Sequence, residues 1–187
     1  LSANGNNLVS TAYPKGPGKR WTVTNGVPVL EKGLIDRDFD QGKAMFTATT
    51  CKGCHTMKGE GGSTGPDLTQ VGTRFSQKDL LEAIVDPDKT ISDQYAATQF
   101  TLKNGNSVVA KLINEDKINY YISQNPYDAT TIDKLAKTKV KSTKTSNVSM
   151  MFQGLINSLN EEEFKDLMAY LVAGGNAENP MFKKKNP

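Results

Sequence analysis

The chain has 187 residues, 36% of them hydrophobic and 23% charged, with a net charge of +3 at pH 7. This length suffices for one domain with a hydrophobic core and a few additional elements. The near balance of 23 basic and 20 acidic residues excludes the basic surface typical of nucleic-acid-binding proteins. No apolar run approaches the ~18 residues that a transmembrane helix needs, so we expect no membrane span in these residues.

The N-terminal part of the chain is predicted to be an extended lead-in or linker. Residues 1–35 are rich in Gly, Asn, Pro and Ser and lack sustained helical or strand periodicity before Trp21 and Val27–Leu30. A helix is then predicted from Asp38, because an acidic start precedes the apolar residues Phe39, Met45 and Phe46.

A loop and a second helix are predicted next. Residues 58–65 are rich in glycine, which favours a loop. Residues 77–85 carry apolar side chains at helical spacing, with Ser76 in the N-cap position. Pro87 lies just beyond the predicted end of this helix, where a proline stops helical hydrogen bonding.

The stretch over residues 95–146 alternates apolar and polar side chains, which predicts a small antiparallel β insertion. Asn104-Gly105 is typical of a two-residue hairpin turn. The predicted strands lie at residues 98–102, 108–113, 118–122 and 137–141.

The last predicted helix begins at Asn160. Residues 161–163 are three glutamates, which the helix dipole favours at this end. The glycine pair at 174–175 is predicted to end the helix. Residues 176–187 are then predicted to be a basic C-terminal tail, frayed and solvated at the lysines 183–185, which leaves residues 36–175 as the central domain.

The segment Cys51-Lys-Gly-Cys54-His55 contains both cysteines and the single histidine of the chain. Two thiols at this spacing can add to the two vinyl groups of one haem, and the adjacent imidazole can bind the iron. A structural zinc site needs four Cys or His ligands, which exceeds this inventory. A thioredoxin-like motif requires a βαβ setting and leaves His55 without a role. A redox or structural disulfide remains the alternative to covalently attached haem c.

The sixth iron ligand is predicted to be a methionine, because no second histidine is available. Lysine, water or an empty position are the alternatives. Four methionines are discounted because they lie beside the motif, in helical apolar patterns or in the tail: Met45, Met57, Met168 and Met181. Met150 and Met151 lie in a non-helical stretch before the last helix, so one of this pair is the predicted ligand.

The order of these features resembles the class I cytochrome c family, which has a helix, Cys-x-x-Cys-His, a Gly-Pro-Asp-Leu loop (here residues 65–68), a methionine loop and a last helix. The resemblance implies a mainly α, helical haem domain with a small antiparallel β insertion between the haem motif and the axial methionine. It also implies that the Pro66 carbonyl accepts the Nδ1 hydrogen of His55. Gly42 and Phe46 are implied to pack against the last helix.

A closer similarity is to a subfamily of haem-binding domains abundant in planctomycetes and Bacteroidetes-type bacteria, often fused to dehydrogenase-like domains. The matching segments are Gly61-Gly62, Gly65-Pro66-Asp67-Leu68, Asp86-Pro87, Tyr95 and Asp166–Leu171. The Ser-x-Met-Pro-x-Gly-Leu motif of this subfamily aligns with residues 149–155, which implies that Met151 rather than Met150 binds the iron. Phe152 stands where the subfamily has proline.

The resemblance implies a mono-haem electron carrier rather than an enzyme, with the iron between His55 and Met151. The expected partners are redox proteins, namely a dehydrogenase-type donor and a downstream acceptor, or a dehydrogenase domain of a larger oxidoreductase. A five-coordinate haem sensor or a peroxidase is the alternative, although a peroxidase would need a distal acid–base group. Covalent haem attachment of this type follows export in bacteria, so we expect a location in the periplasm or otherwise outside the inner membrane.

The β insertion raises partner docking as a third hypothesis. Lys137, Lys139 and Lys141 would share one strand face and, with Lys144, would attract an acidic partner. Alternating lysines are also typical of a protected edge strand, and this interpretation stays open.

Overall fold

The computed structural model of the protein describes residues 13–128 and 130–183. Its α-helices are α1 Val23–Glu31, α2 Phe39–Ala48, α3 Cys51–Cys54, α4 Val71–Arg74, α5 Gln77–Val85 and α6 Glu161–Val172. Its strands are β1 Thr56–Met57, β2 Glu60–Gly61, β3 Thr98–Leu102, β4 Ser107–Glu115, β5 Asn119–Ser123, β6 Asp133–Ala136 and β7 Val140–Thr145. Within the described residues no helix is both long and apolar enough to span a bilayer.

Three helices predicted from the sequence, α2, α5 and α6, are present with their expected N-caps. The Asp38 carboxylate accepts a hydrogen bond from the Gln41 amide at the start of α2. Ser76 caps α5 in the same way. Asn160 and Glu163 form a reciprocal capping box at the start of α6, in which each side chain accepts from the other residue's amide at 3.0 Å.

Helices α2 and α6 pack closely at a glycine. A Cβ at Gly42 would lie 2.8 Å from the Cβ of Tyr170. One turn further along α2, the rings of Phe46 and Tyr170 lie with their centroids 5.5 Å apart. The implied packing of Gly42 and Phe46 against the last helix is confirmed.

Helix α1 lies where the sequence predicts an extended lead-in, so that prediction is wrong for Val23–Glu31. Thr22 and Asn25 form a capping box at its start. The Trp21 ring stacks on Phe164 of α6, with the centroids 4.0 Å apart. Tertiary packing therefore stabilises a helix whose own Asn, Gly and Pro residues disfavour it. The first twelve residues of the predicted lead-in lie outside the described part of the chain.

The β insertion is an antiparallel sheet of five strands in the order β6-β5-β4-β3-β7. It has a small core of its own, formed by Phe100, Ala110 and Ile122. Helix accounts for 30% and strand for 21% of the structure. The insertion lies within the predicted range 95–146 but has five strands where four were predicted. The prediction of a mainly α fold is supported only loosely.

Two details predicted for the insertion are wrong. The hairpin between β3 and β4 is longer than two residues, because Thr101 pairs with Ser107 and Gly105 adopts a φ of 90°. The predicted strand over 137–141 is interrupted by a 3-10 helix, Lys137–Lys139. The chain turns here because β6 and β7 lie at opposite edges of the sheet, so the predicted lysine face does not form.

The C-terminal segment packs more closely on the domain than the predicted tail would. Phe182 is buried, and its ring contacts that of Phe39 edge to face at 5.2 Å. The Lys183 amide donates a hydrogen bond to the Arg37 carbonyl at 3.0 Å. The prediction of a tail is therefore wrong at Phe182, whereas Lys183 is exposed as predicted although its amide is bonded. Residues 184–187 lie outside the described part of the chain.

Candidate functional site

Helix α3 places both thiols and the imidazole within little more than one helical turn. Thr50 precedes the helix in the left-handed region, with a φ of 62°, and turns the chain out of α2. The His55 amide donates to the Cys51 carbonyl at 2.9 Å, so His55 directly follows the turn. Cys51 and Cys54 are both free thiols. The predicted motif is therefore one compact set of potential ligands.

The two thiols have different surroundings. Cys51 is buried, and its Sγ lies 3.3 Å from Thr49 Oγ1. Burial raises the pKa of the Cys51 thiol, and the hydrogen bond with Thr49 opposes this shift. Cys54 is half-buried, and its Sγ donates to the Pro126 carbonyl at 3.2 Å. Cys51 thus belongs to the helical core, whereas Cys54 contacts the β insertion.

A backbone carbonyl orients the imidazole of His55. Nδ1 lies 2.9 Å from the Pro66 oxygen, and since a carbonyl only accepts, Nδ1 carries the hydrogen. Burial lowers the pKa of His55, and the hydrogen bond to Pro66 opposes this effect, so the neutral ring is favoured. In that tautomer Nε2 is the nitrogen available to a metal. The hydrogen bond implied for Pro66 is present.

A glycine-rich segment packs against the motif. Strands β1 and β2 form a two-stranded hairpin, which corrects the loop prediction at Glu60–Gly61. The Gly62 amide donates to the Lys52 carbonyl at 2.9 Å. A Cβ at Gly65 would lie 2.7 Å from Cε1 of His55. Only glycine fits at this position without moving the imidazole.

The methionines differ in burial. Met45, Met57 and Met168 are almost fully buried, and Met181 is half-buried. Met150 and Met151 are both half-buried, and Met151 packs against the helical core that includes Cys51. The Met151 amide donates to Ser149 Oγ at 3.0 Å, and the Ser149 amide donates to Asp88 at 2.7 Å. Sequence reasoning missed Asp88, since no local pattern links it to a segment about sixty residues away.

Sequence reasoning also missed the role of the loop between β5 and β6, which it treated only as a strand break. The Pro126 carbonyl accepts hydrogen bonds from Cys54 and from Thr64 Oγ1. The Tyr127 hydroxyl lies 3.1 Å from Thr50 Oγ1. Pro126 is 72 residues from Cys54 in the sequence, so only the folded chain brings them together.

The residues of the site fit a haem better than a bare metal ion. Among residues 13–128 and 130–183, no three His, Cys, Asp or Glu side chains are arranged to hold a metal ion. An iron bound by His55 would therefore need the equatorial ligands that a porphyrin supplies. The Tyr127 ring lies beside the motif, close to Gly53. Tyr127 is 43% and Phe152 is 51% exposed, and their ring centroids are 5.9 Å apart. Such a surface suits an apolar macrocycle.

A comparison with known protein families agrees with this geometry. The family model described as Cytochrome c matches residues 39–119. The match supports a cytochrome c domain. The matched segment includes the Cys51–His55 motif and Pro66, while Met151 and α6 lie beyond it. The match also implies a covalently bound haem and supports an electron-transfer protein. No curated protein matches the chain.

Proposed function

We propose that the chain is a mono-haem cytochrome c that passes single electrons from a dehydrogenase-type donor to a downstream acceptor. The observation that carries the proposal is the hydrogen bond between His55 and Pro66 directly beside two free thiols. This arrangement presents a neutral imidazole, with one free ring nitrogen, where two thioether bonds can form. The bound haem would supply the one-electron redox chemistry.

Each residue of the motif has its own role in this proposal. Cys51 and Cys54 would hold the haem covalently, and His55 would bind its iron. Pro66 orients the imidazole and increases its basicity through the Nδ1 hydrogen bond. Because Cys51 is buried and Cys54 is half-buried, the side of a haem attached to Cys51 would lie in the core and the side attached to Cys54 nearer the surface.

Met151 is the proposed sixth ligand. Its contact with the core that contains Cys51 supports it over Met150, for which no such contact is found. The bond from its amide to Ser149, which is itself bonded to Asp88, supports a fixed backbone at this position. A thioether ligand and burial of the haem favour a positive reduction potential.

We also propose that the protein is exported to the bacterial periplasm. Covalent attachment of haem to Cys-x-x-Cys-His follows export in bacteria, and this chemistry is the support for the location. Fractionation of the native cells followed by a haem stain tests it, and staining confined to the cytoplasm would contradict it.

Absorption spectra of two methionine variants test the axial ligand. Met151→Ala should lose the weak band at the red end of the oxidised spectrum, which reports a methionine–iron bond, whereas Met150→Ala should keep it. The reverse result would move the ligand to Met150. A wild-type protein that is high-spin and binds carbon monoxide would contradict an electron carrier. Finding no haem by the pyridine haemochrome assay, after expression with the maturation machinery, would contradict the proposal as a whole.

A further inference from the structure

The loop at residues 125–128, here called the strap, contacts the candidate haem site from the β insertion. Its Pro126 carbonyl accepts a hydrogen bond from the Cys54 thiol at 3.2 Å and another from Thr64 Oγ1. Thr64 belongs to the glycine-rich segment that leads to Pro66, whose carbonyl accepts the hydrogen bond from His55. One carbonyl therefore lies against both the attachment motif and the loop behind it. A Cys54 thioether would have no hydrogen to donate, so in the haem-loaded protein the Thr64 bond would hold this carbonyl in place.

Tyr127 adds three contacts to the strap. Its ring lies on the motif itself, because a Cβ at Gly53 would come within 2.7 Å of the tyrosine Cδ1. Its hydroxyl lies 3.1 Å from Thr50 Oγ1. Its ring also contacts Phe152, the residue after the proposed axial ligand, with the centroids 5.9 Å apart. Tyr127 thus touches both the attachment motif and the residue next to the proposed sixth ligand.

The strap is closed by hydrogen bonds of its own. The Tyr127 amide donates to Asn125 Oδ1 at 3.0 Å. The Asp128 carboxylate accepts from the Thr130 amide at 2.8 Å and from the Thr131 hydroxyl. Hydrogen bonds to these two threonines lower the pKa of Asp128 to about 2, so it is ionised at neutral pH. The loop is therefore fixed in shape where it meets the motif.

We propose that the strap covers the Cys54 side of the haem site. The Tyr127 ring keeps water from this side and thereby raises the reduction potential of the haem. The inference rests on the proposed function. Ferric haem carries one more positive charge than ferrous haem, and water stabilises the higher charge. Excluding water from the Cys54 side therefore favours the reduced state.

The midpoint potential of the haem-loaded full chain tests this inference. Tyr127→Ala removes the ring from Gly53 and should shift the potential to a more negative value. Tyr127→Phe keeps the ring and should stay close to the wild type. Tyr121→Ala is the matched control, because Tyr121 lies on β5 of the same sheet but bonds Asp116 rather than the motif, and it should not shift the potential.

A second variant keeps the test decisive if Tyr127→Ala accumulates without haem. Thr64→Val removes the hydroxyl that donates to the Pro126 carbonyl and should shift the potential in the same direction by a smaller amount. Unchanged potentials in Tyr127→Ala and Thr64→Val, or an equal shift in Tyr121→Ala, would overturn the inference alone. A wild-type chain with no haem would instead overturn the proposed function, and the inference with it.

Discussion

Gly65 shows how closely the backbone surrounds the candidate iron ligand. A Cβ at this position would lie 2.7 Å from Cε1 and 2.9 Å from Nδ1 of His55. The next residue, Pro66, accepts the Nδ1 hydrogen at 2.9 Å. Gly65 therefore limits the positions of the His55 ring by close contact, and Pro66 fixes the orientation of the ring by a hydrogen bond. An imidazole fixed in this way needs little reorganisation when it binds iron.

Gly65→Ala is expected to displace the imidazole or the loop, because the new methyl group overlaps the ring. The cost in the free energy of unfolding should be about 1–3 kcal/mol, measured by denaturant titration of the haem-loaded protein. Ser63→Ala is the control, since Ser63 is exposed in the same loop, and it should change stability little. Equal stability of Gly65→Ala and the wild type would show that this contact does not hold the ring.

The motif could be predicted at the level of single residues, but its surroundings could not. Cys51, Cys54 and His55 lie within five consecutive residues, and this spacing is enough to indicate their chemistry. Pro126 reaches Cys54 across 72 residues, and that contact depends on the register of the whole sheet. No local pattern encodes it.

At the scale of elements, the packing of α2 on α6 depends on one missing side chain. Gly42 lets the backbones approach until its hydrogen faces the Cβ of Tyr170. Phe46 then fills the space one turn away, in contact with the same tyrosine ring. Because α2 leads directly into the motif helix α3, this packing also determines where Cys51 lies.

Gly42→Val should separate α2 from α6 and lower the free energy of unfolding by about 1–3 kcal/mol. Urea unfolding followed by circular dichroism measures the change. Thr47→Ala is the matched control on the exposed face of α2, and its effect should stay within about 0.5 kcal/mol. A Gly42→Val protein as stable as the control would mean that the helices can move apart without loss of packing.

Elements with local end signals could be predicted, whereas those that depend on distant packing could not. Asp38, Ser76 and Asn160 each bond an amide three residues away, so a short pattern reveals each helix start. Helix α1 was missed because its stability comes from contacts such as that between Trp21 and Phe164, on opposite ends of the chain. The alternation over 137–141 predicted one strand, since a sequence pattern does not show that the chain must cross between sheet edges.

At the scale of the whole molecule, the helices and the sheet have separate cores. The helical cluster and the sheet cluster share none of their buried residues. The chain also enters and leaves the sheet at one place, because the Ser146 amide donates to the Ala97 carbonyl at 2.8 Å. Residues 98–145 are thus inserted into the helical part at a single point. Within this insertion, the strap contacts the candidate haem site of the helical part.

Replacing residues 98–145 with Asn-Gly should therefore preserve the helical part. Ala97 and Ser146 already make the carbonyl-to-amide hydrogen bond that closes a two-residue turn. The shortened protein is expected to attach one haem per chain and to keep the red-end band, because the motif, Pro66 and Met151 all lie outside the replaced segment. Its midpoint potential should be at least as negative as that of Tyr127→Ala, since the Tyr127 ring is absent from both and the replacement also removes the rest of the strap. Loss of the haem or of helical circular dichroism would show that the sheet is required for the helical part to fold, whereas a wild-type potential would assign the control of the haem environment to the helices alone.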